Sequence, residues 1–157
     1  MLKLQLLRQE DYPLAASLLQ ESSTWGVRTF LDVDALSILT ASNACWLVAI
    51  TPEGDPVGVA GVHNISWIDR SGELAVGVVK HARGQGNAKI LAEMLHTYCF
   101  NTLNLYRITS TCLMDSPMAK VAQACGLTLE GQHTHARFKD GEWLDTLSFA
   151  LLNPREV

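Results

Sequence analysis

The segment Arg83-Gly84-Gln85-Gly86-Asn87-Ala88 is where the sequence most plainly offers chemistry. Two glycines in one short turn permit backbone conformations that side chains block, and a helical apolar period follows them. The first free N–H groups of that helix therefore point outward at its positive end. Such a turn cradles a phosphate or pyrophosphate, with Arg83 as an added positive group, although the same glycines could serve only to shape a strand-to-helix turn. A dinucleotide fingerprint fails for want of a third glycine after Gly86, and a P-loop fails for want of Gly-Lys-Ser/Thr. Ten residues before Arg83, Glu73 interrupts an apolar run. Half-buried beside Leu74 and Val76, its carboxylate could act as a base near neutrality; the structural alternative is pairing with Arg70 or Arg107. Asp115 and Ser116 ahead of Pro117 read as a helix N-cap. His133 and His135 alternate along one strand, but with Cys125 they lack further ligands at matching spacing, so no metal site is expected. Cys112 reads as a packed thiol and His81 as a surface residue. Trp25, Trp67 and Trp143 read as core residues before pocket lining.

These residues need elements to position them. Leu2 to Leu7 reads as a strand, and Asp11 and Pro13 open a helix with its stripe at Leu14, Leu18 and Leu19. A weaker helix follows near Asp32 to Leu39. Cys45 to Ile50 and Val57 to Ile65 form an antiparallel hairpin across the turn Pro52-Glu53-Gly54-Asp55. Glu73 to Val79, almost wholly apolar, reads as a strand buried on both faces. After the glycine turn comes a helix with Leu91, Met94, Leu95 and Tyr98 at i, i+3, i+4, i+7. Tyr106 to Leu113 is a strand and Ser116 to Ala124 a short helix stopped by Gly126. A long hairpin then turns at Asp140-Gly141, a two-residue turn of type I′, between Leu127–Lys139 and Glu142–Leu152. The class is α+β, with a mixed, mainly antiparallel sheet flanked by helices and one parallel crossover, in a single domain over residues 1–157.

The segment Arg83 to Ala88 resembles the acetyl-CoA loop of the GNAT N-acetyltransferases, Arg/Gln-x-x-Gly-x-Gly/Ala. The likeness extends over His63-Asn64-Ile65-Ser66-Trp67-Ile68-Asp69-Arg70-Ser71-Gly72-Glu73-Leu74, Phe100 to Ile108, Cys125 to Gly131 and Asp140 to Asp145. There the chain is similar to the branch that acetylates ribosomal-protein N-termini. The resemblance implies the GNAT fold and acetyl-CoA as cosubstrate. It implies direct attack by a primary amine, a peptide N-terminal α-amine in the first place and a small amine such as an amino sugar or polyamine in the second; a degenerate domain that binds CoA without catalysis is the further alternative. By the same resemblance, Val78 and Val79 would pair with the pantetheine arm, and Arg83, Gly84, Gln85, Gly86, Asn87 and Ala88 would hold the pyrophosphate. Glu73 would accept the amine proton. Where many relatives carry a Tyr acid this chain has Ala122, which leaves Ser116 as donor to the leaving thiolate, with Asp115 or Ser116 in place of a cofactor-binding Asn. A thiol of pKa ~8.5 leaves near pH 7 at a cost of about 2 kcal/mol, so the missing acid slows the reaction without forbidding it.

Composition agrees with an ordinary enzyme domain. The 157 residues are 48% hydrophobic with a net charge of −4, enough apolar content for one core. The sequence pI of 5.7 and mixed charges give no basic stripe for nucleic acid and mildly favour a cationic acceptor. No run of 18 apolar residues suits a membrane span, no signal-peptide pattern opens the chain, and four scattered cysteines fit reduced thiols, so a cytoplasmic protein is expected. The last strand is apolar on both sides, with Trp143, Leu147, Phe149 and Leu151 on one and Leu144, Ala150 and Leu152 on the other. Read as an edge, it predicts a homodimer through this hairpin.

Overall fold

In the computed structural model, residues 1–20 and 35–157 are described, and Trp25 and the start of the helix expected near Asp32 lie outside them. The strands are β1 (Lys3–Leu6), β2 (Cys45–Ile50), β3 (Pro56–Ser66), β4 (Ser71–Val78), β5 (Arg107–Leu113), β6 (Thr128–Lys139) and β7 (Glu142–Leu152). The helices are α1 (Tyr12–Gln20), α2 (Ala35–Leu39), α3 (Asn87–Asn101) and α4 (Pro117–Ala124). The strands form one sheet in the order β1-β2-β3-β4-β5-β7-β6. Every neighbouring pair is antiparallel except β4 and β5. The α+β class, the β2–β3 hairpin and the parallel crossover stand as the sequence predicts.

Side-chain alternation along β3 assigns the helices to faces. A Cβ added at Gly58 would strike Leu91 of α3. Gly61, three residues on, points the other way and lies under the Trp46 indole, so that any side chain there would collide with the ring. Trp46 Nε1 donates to the Ile38 carbonyl of α2 at 3.2 Å. One face of the sheet thus carries α3 and the other α2, which packs with α1.

The parallel pairing of β4 and β5 is short. It joins Ser71 to Arg107, Gly72 to Ile108 and Glu73 to Thr109 and goes no further, while β5 stays paired with β7 through Leu113. Past Glu73 the sheet splits. Two apolar clusters follow: a large one around Val48, Val59, Val62, Leu91, Leu95 and Ile108, and a small one of Cys112, Ala119, Ala122, Leu127 and Phe149 beneath α4.

Three expectations need correction. First, β7 is no edge: it lies between β5 and β6, which explains an apolar character on both faces, and the edge strand is the largely polar, exposed β6. Second, Trp67 and Trp143 are 55% and 59% exposed, because both sit at hairpin ends beyond the reach of the helices. Third, His133 and His135 do not alternate on one face. The ladder is interrupted between His133 and Arg137, His135 adopts φ +51°, and its N–H donates to Asp145 Oδ1 at 2.8 Å. The turn itself is as predicted, with positive φ at Asp140 (52°) and Gly141 (84°). Among the described residues no helix is long and apolar enough to cross a membrane.

Candidate active site

The split between β4 and β5 opens a cleft through the sheet. It is lined by His63 and Glu73, by Leu74 to Val76 of β4, by Ser110 and Thr111 of β5, and by Ala92, His96, Met118, Val121, Ala122, Cys125 and Leu127 from the α3–α4 side. One wall is an open strand edge. The Val79 N–H donates to the Val57 carbonyl at 2.9 Å, one step past the Gly58–Val78 pair. Hydrogen-bonded pairs alternate in an antiparallel ladder, so Gly77, Ala75 and Glu73 turn their backbone groups to β3, and Val78, Val76 and Leu74 turn theirs to the β5 side. Among the described residues no strand pairs with that side beyond Glu73. Val78 thus turns its backbone toward the unpaired side of β4, and Val79 has its N–H committed to β3. Val76, which the sequence reading passed over, joins Val78 on the open edge. The Val78 carbonyl accepts from Arg83 Nε at 3.0 Å.

The glycine turn lies between the end of β4 and the start of α3. Gly84 and Gly86 hold φ of +71° and +81°, and no atom lies within 4 Å of a Cβ built at either. The left-handed Gly86 caps α3, whose first intrahelical bond runs from the Ile90 N–H to the Gly86 carbonyl. Two side chains brace the turn from within: Gln85 Nε2 donates to the His81 carbonyl at 3.2 Å and Asn87 Nδ2 to the Ala82 carbonyl at 2.8 Å. The backbone N–H groups of Asn87, Ala88 and Lys89 are left as the first-turn donors of the helix, beside a space that side chains do not fill.

Glu73 stands at the other end, where the strands part. It is the register partner of His63, and the two side chains share the face of α2. His63 stacks on Trp46, with ring centroids 6.0 Å apart and planes at 4°. Neither arginine suggested by the sequence reaches Glu73: Arg70 binds Glu156 and Asn104, and Arg107 binds Glu130. Its carboxylate instead accepts from Asn64 Nδ2 at 3.3 Å. Asn64 sits at φ +49° where the β3–β4 register shifts between His63 and Ser66. That irregularity points the amide at Glu73, and no periodicity in the sequence announces it.

Asp115 is exposed in the turn before α4. Ser116 begins the helix in extended conformation (φ −82°, ψ 151°) without a capping bond. Its Oγ is buried, makes no full hydrogen bond and lies against the Cys112 thiol, outside the cleft lining. Burial pushes the Cys112 and Cys125 thiols up, so both stay protonated at neutral pH. His96, which the sequence reading did not single out, is 7% exposed on the α3 side of the cleft, and burial pushes its imidazole down to about 4. Among the described residues no three His, Cys, Asp or Glu side chains converge as metal ligands.

The split thus leaves an open strand edge on β4, with the Glu73 carboxylate where the strands part and the N-terminus of α3 following the strand's other end. The chain belongs to the GNAT acetyltransferases, whose acetyltransferase (GNAT) domain matches residues 2–128. It is similar to the spermidine N(1)-acetyltransferase of Vibrio cholerae serotype O1, 26% identical over 100 residues, which are 63% of this chain and 58% of the relative. Among solved structures it matches a Vibrio cholerae spermidine N-acetyltransferase in complex with CoA and spermine (TM-score 0.84, 22% identity, 96% of this chain and 95% of that one). It also matches a manganese complex of the spermidine/spermine N-acetyltransferase from the same organism (TM-score 0.80, 22% identity, 96% and 92%). These relatives are spermidine acetyltransferases, so the narrower likeness to the branch acting on ribosomal-protein N-termini gives way to the family as a whole.

Proposed function

We propose that the chain transfers the acetyl group of acetyl-CoA to a small primary amine of the polyamine class. The split between β4 and β5 carries this reading. An extended arm bearing amides can lie along Val76 and Val78 as a further strand would, and Arg83 to Ala88 can take a diphosphate at the N-terminus of α3. Glu73 accepts the proton of the attacking amine, directly or through a water, while Asn64 holds its carboxylate in place. Glu73 is the one carboxylate lining the cleft among the described residues, and no Lys or Arg lines it. A cationic acceptor therefore meets attraction and no repulsion. The spermidine acetyltransferases similar to this chain support the same class.

An alkylamine with pKa near ~10.4 is neutral in only about 4 of 10⁴ molecules at pH 7. The acceptor must shed a proton before attack, and Glu73 is placed to take it. The test measures release of the CoA thiol with spermidine, spermine, glucosamine and a peptide with a free N-terminus. A polyamine kcat/KM at least tenfold above that of the peptide is expected; turnover with the peptide alone would restore the α-amine reading. The homodimer expected from the sequence would rest on the free edge β6 and on the exposed Phe138–Trp143 pair at the hairpin tip. Light scattering of the wild type against Trp143→Asp reads it, a monomeric mass for both counting against the dimer.

A further inference from the structure

His96 is a buried polar side chain with no stated task. Its ring is 7% exposed, lines the cleft and forms no hydrogen bond with another described residue. With no partner among the described residues, its ring nitrogens are open to the cleft and available to a group that enters there. Burial holds the imidazole neutral at pH 7, opposed only in part by Glu93 on its own helix. A neutral ring keeps one N–H donor. The other groups around it are Glu73 and His63 at the far mouth and the protonated Cys125 thiol just past the end of α4.

Its depth fits the reacting end of the carrier. Nine helical residues separate Asn87 from His96, about 14 Å of rise. Five strand residues separate Val78 from Glu73, about 17 Å. The arm joining a CoA diphosphate to its sulfur spans about twelve bonds, roughly 15 Å when extended. His96 and Glu73 thus stand at the same depth on opposite faces of the sheet, with Ala92 and Ala122 leaving the space beside the ring unfilled.

Resting on the acetyl-transfer reading, we propose that His96 is the catalytic donor to the leaving sulfur: its ring N–H hydrogen-bonds the thiolate that forms on the α3 face as the amine enters from the Glu73 face. The amine nitrogen forms the new C–N bond and the C–S bond breaks with its electron pair on sulfur. The amine proton passes to Glu73, and the thiolate regains a proton from solvent after product leaves. His96 gives up none, as suits an imidazole that stays neutral.

The experiment follows the thiol of bound CoA by its ultraviolet thiolate absorbance against pH, with no amine present, in the wild type, His96→Leu, His96→Gln and Ser110→Ala. Ser110 is one of the two hydroxyl residues of β5, with Thr111, that line the same cleft. The bound thiol is expected to titrate at least one unit lower in the wild type than in His96→Leu, with His96→Gln recovering part of the shift and Ser110→Ala matching the wild type. In turnover, His96→Leu should lose about 10²-fold in kcat with KM for acetyl-CoA changed less than threefold. Equal titration in wild type and His96→Leu, or a shift that follows Ser110, overturns the proposal while leaving acetyl transfer intact. Failure of the wild type to bind CoA overturns the transfer reading and this proposal together.

Discussion

His96→Leu also has a consequence for stability that is separate from catalysis. The imidazole titrates near 6.5 in an unfolded chain and near 4 in the fold because burial penalises its charged form. Above about pH 6.5 the ring is neutral in both states and contributes nothing to pH dependence. As pH falls, the unfolded chain takes up a proton that the fold refuses, so stability is lost between about 6.5 and 4. The linkage relation gives about 2 kcal/mol lost at pH 5 and about 3 kcal/mol at pH 4. For a chain of this size, 2 kcal/mol is roughly 4–8 °C in Tm. The assay is thermal or urea unfolding at pH 7.5, 6, 5 and 4.5. Wild type should lose this increment and His96→Leu should lack it, so the two curves converge at neutral pH, within the gain from replacing an unpaired polar ring, and separate in acid. The carboxylates Glu130 and Glu156, held low by Arg107 and Arg70, and Asp145, held low by the His135 N–H, also lose stability as pH falls, but equally in both proteins, so the difference between the two curves reports His96. Parallel acid losses in both proteins would refute the burial argument.

Other outcomes follow from the same geometry. Gly86→Ala has space for its Cβ but forces a non-glycine residue left-handed, costing about 1–2 kcal/mol, and calorimetry should show CoA affinity down at least tenfold. Gly86→Glu, which sets a carboxylate at the anion cradle, should abolish that binding, and equal binding by both variants and wild type would remove the loop assignment. Glu73→Gln should lower kcat by about 10²–10⁴ throughout pH 6 to 9, whereas an unchanged rate over that range would remove Glu73 as the base. Gly61→Ala drives a methyl into the Trp46 ring and should cost about 1–3 kcal/mol by denaturant unfolding; wild-type stability would show that Trp46 is free to move.

The parts of the fold written in local chemistry were legible. Asp140-Gly141 fixes a two-residue hairpin, Gly84 and Gly86 break β4 from α3, and Ser116-Pro117 starts α4 within a residue of its predicted place. What escaped depends on neighbours distant in sequence. Val76 is an open edge only because β5 leaves β4 at Thr109. Asn64 reaches Glu73 only through an irregularity in β3. β7 looked like an edge in need of cover because strand order is not a property of one strand, and Trp67 and Trp143 looked like core residues because hydrophobicity does not report distance from the helices. His96 did leave a trace: Ala92, His96 and Cys99 lie at i, i+4, i+7 and extend the stripe of Leu91 and Leu95. The helix is buried over that broader arc, so a polar residue there carries more meaning than on a solvated flank.

In the proposed reaction the split sheet brings a CoA thioester and a small cationic amine together at Glu73. The most direct test incubates the pure protein with acetyl-CoA labelled in the acetyl group and with spermidine, following thiol release and the mass of the amine together. Labelled monoacetylspermidine is expected in a one-to-one ratio with free CoA, with at least a hundredfold less of both for Glu73→Gln. Tight acetyl-CoA binding with no thiol released above the amine-free rate, over polyamines, amino sugars and peptide N-termini alike, would contradict it and leave a binding domain without catalysis.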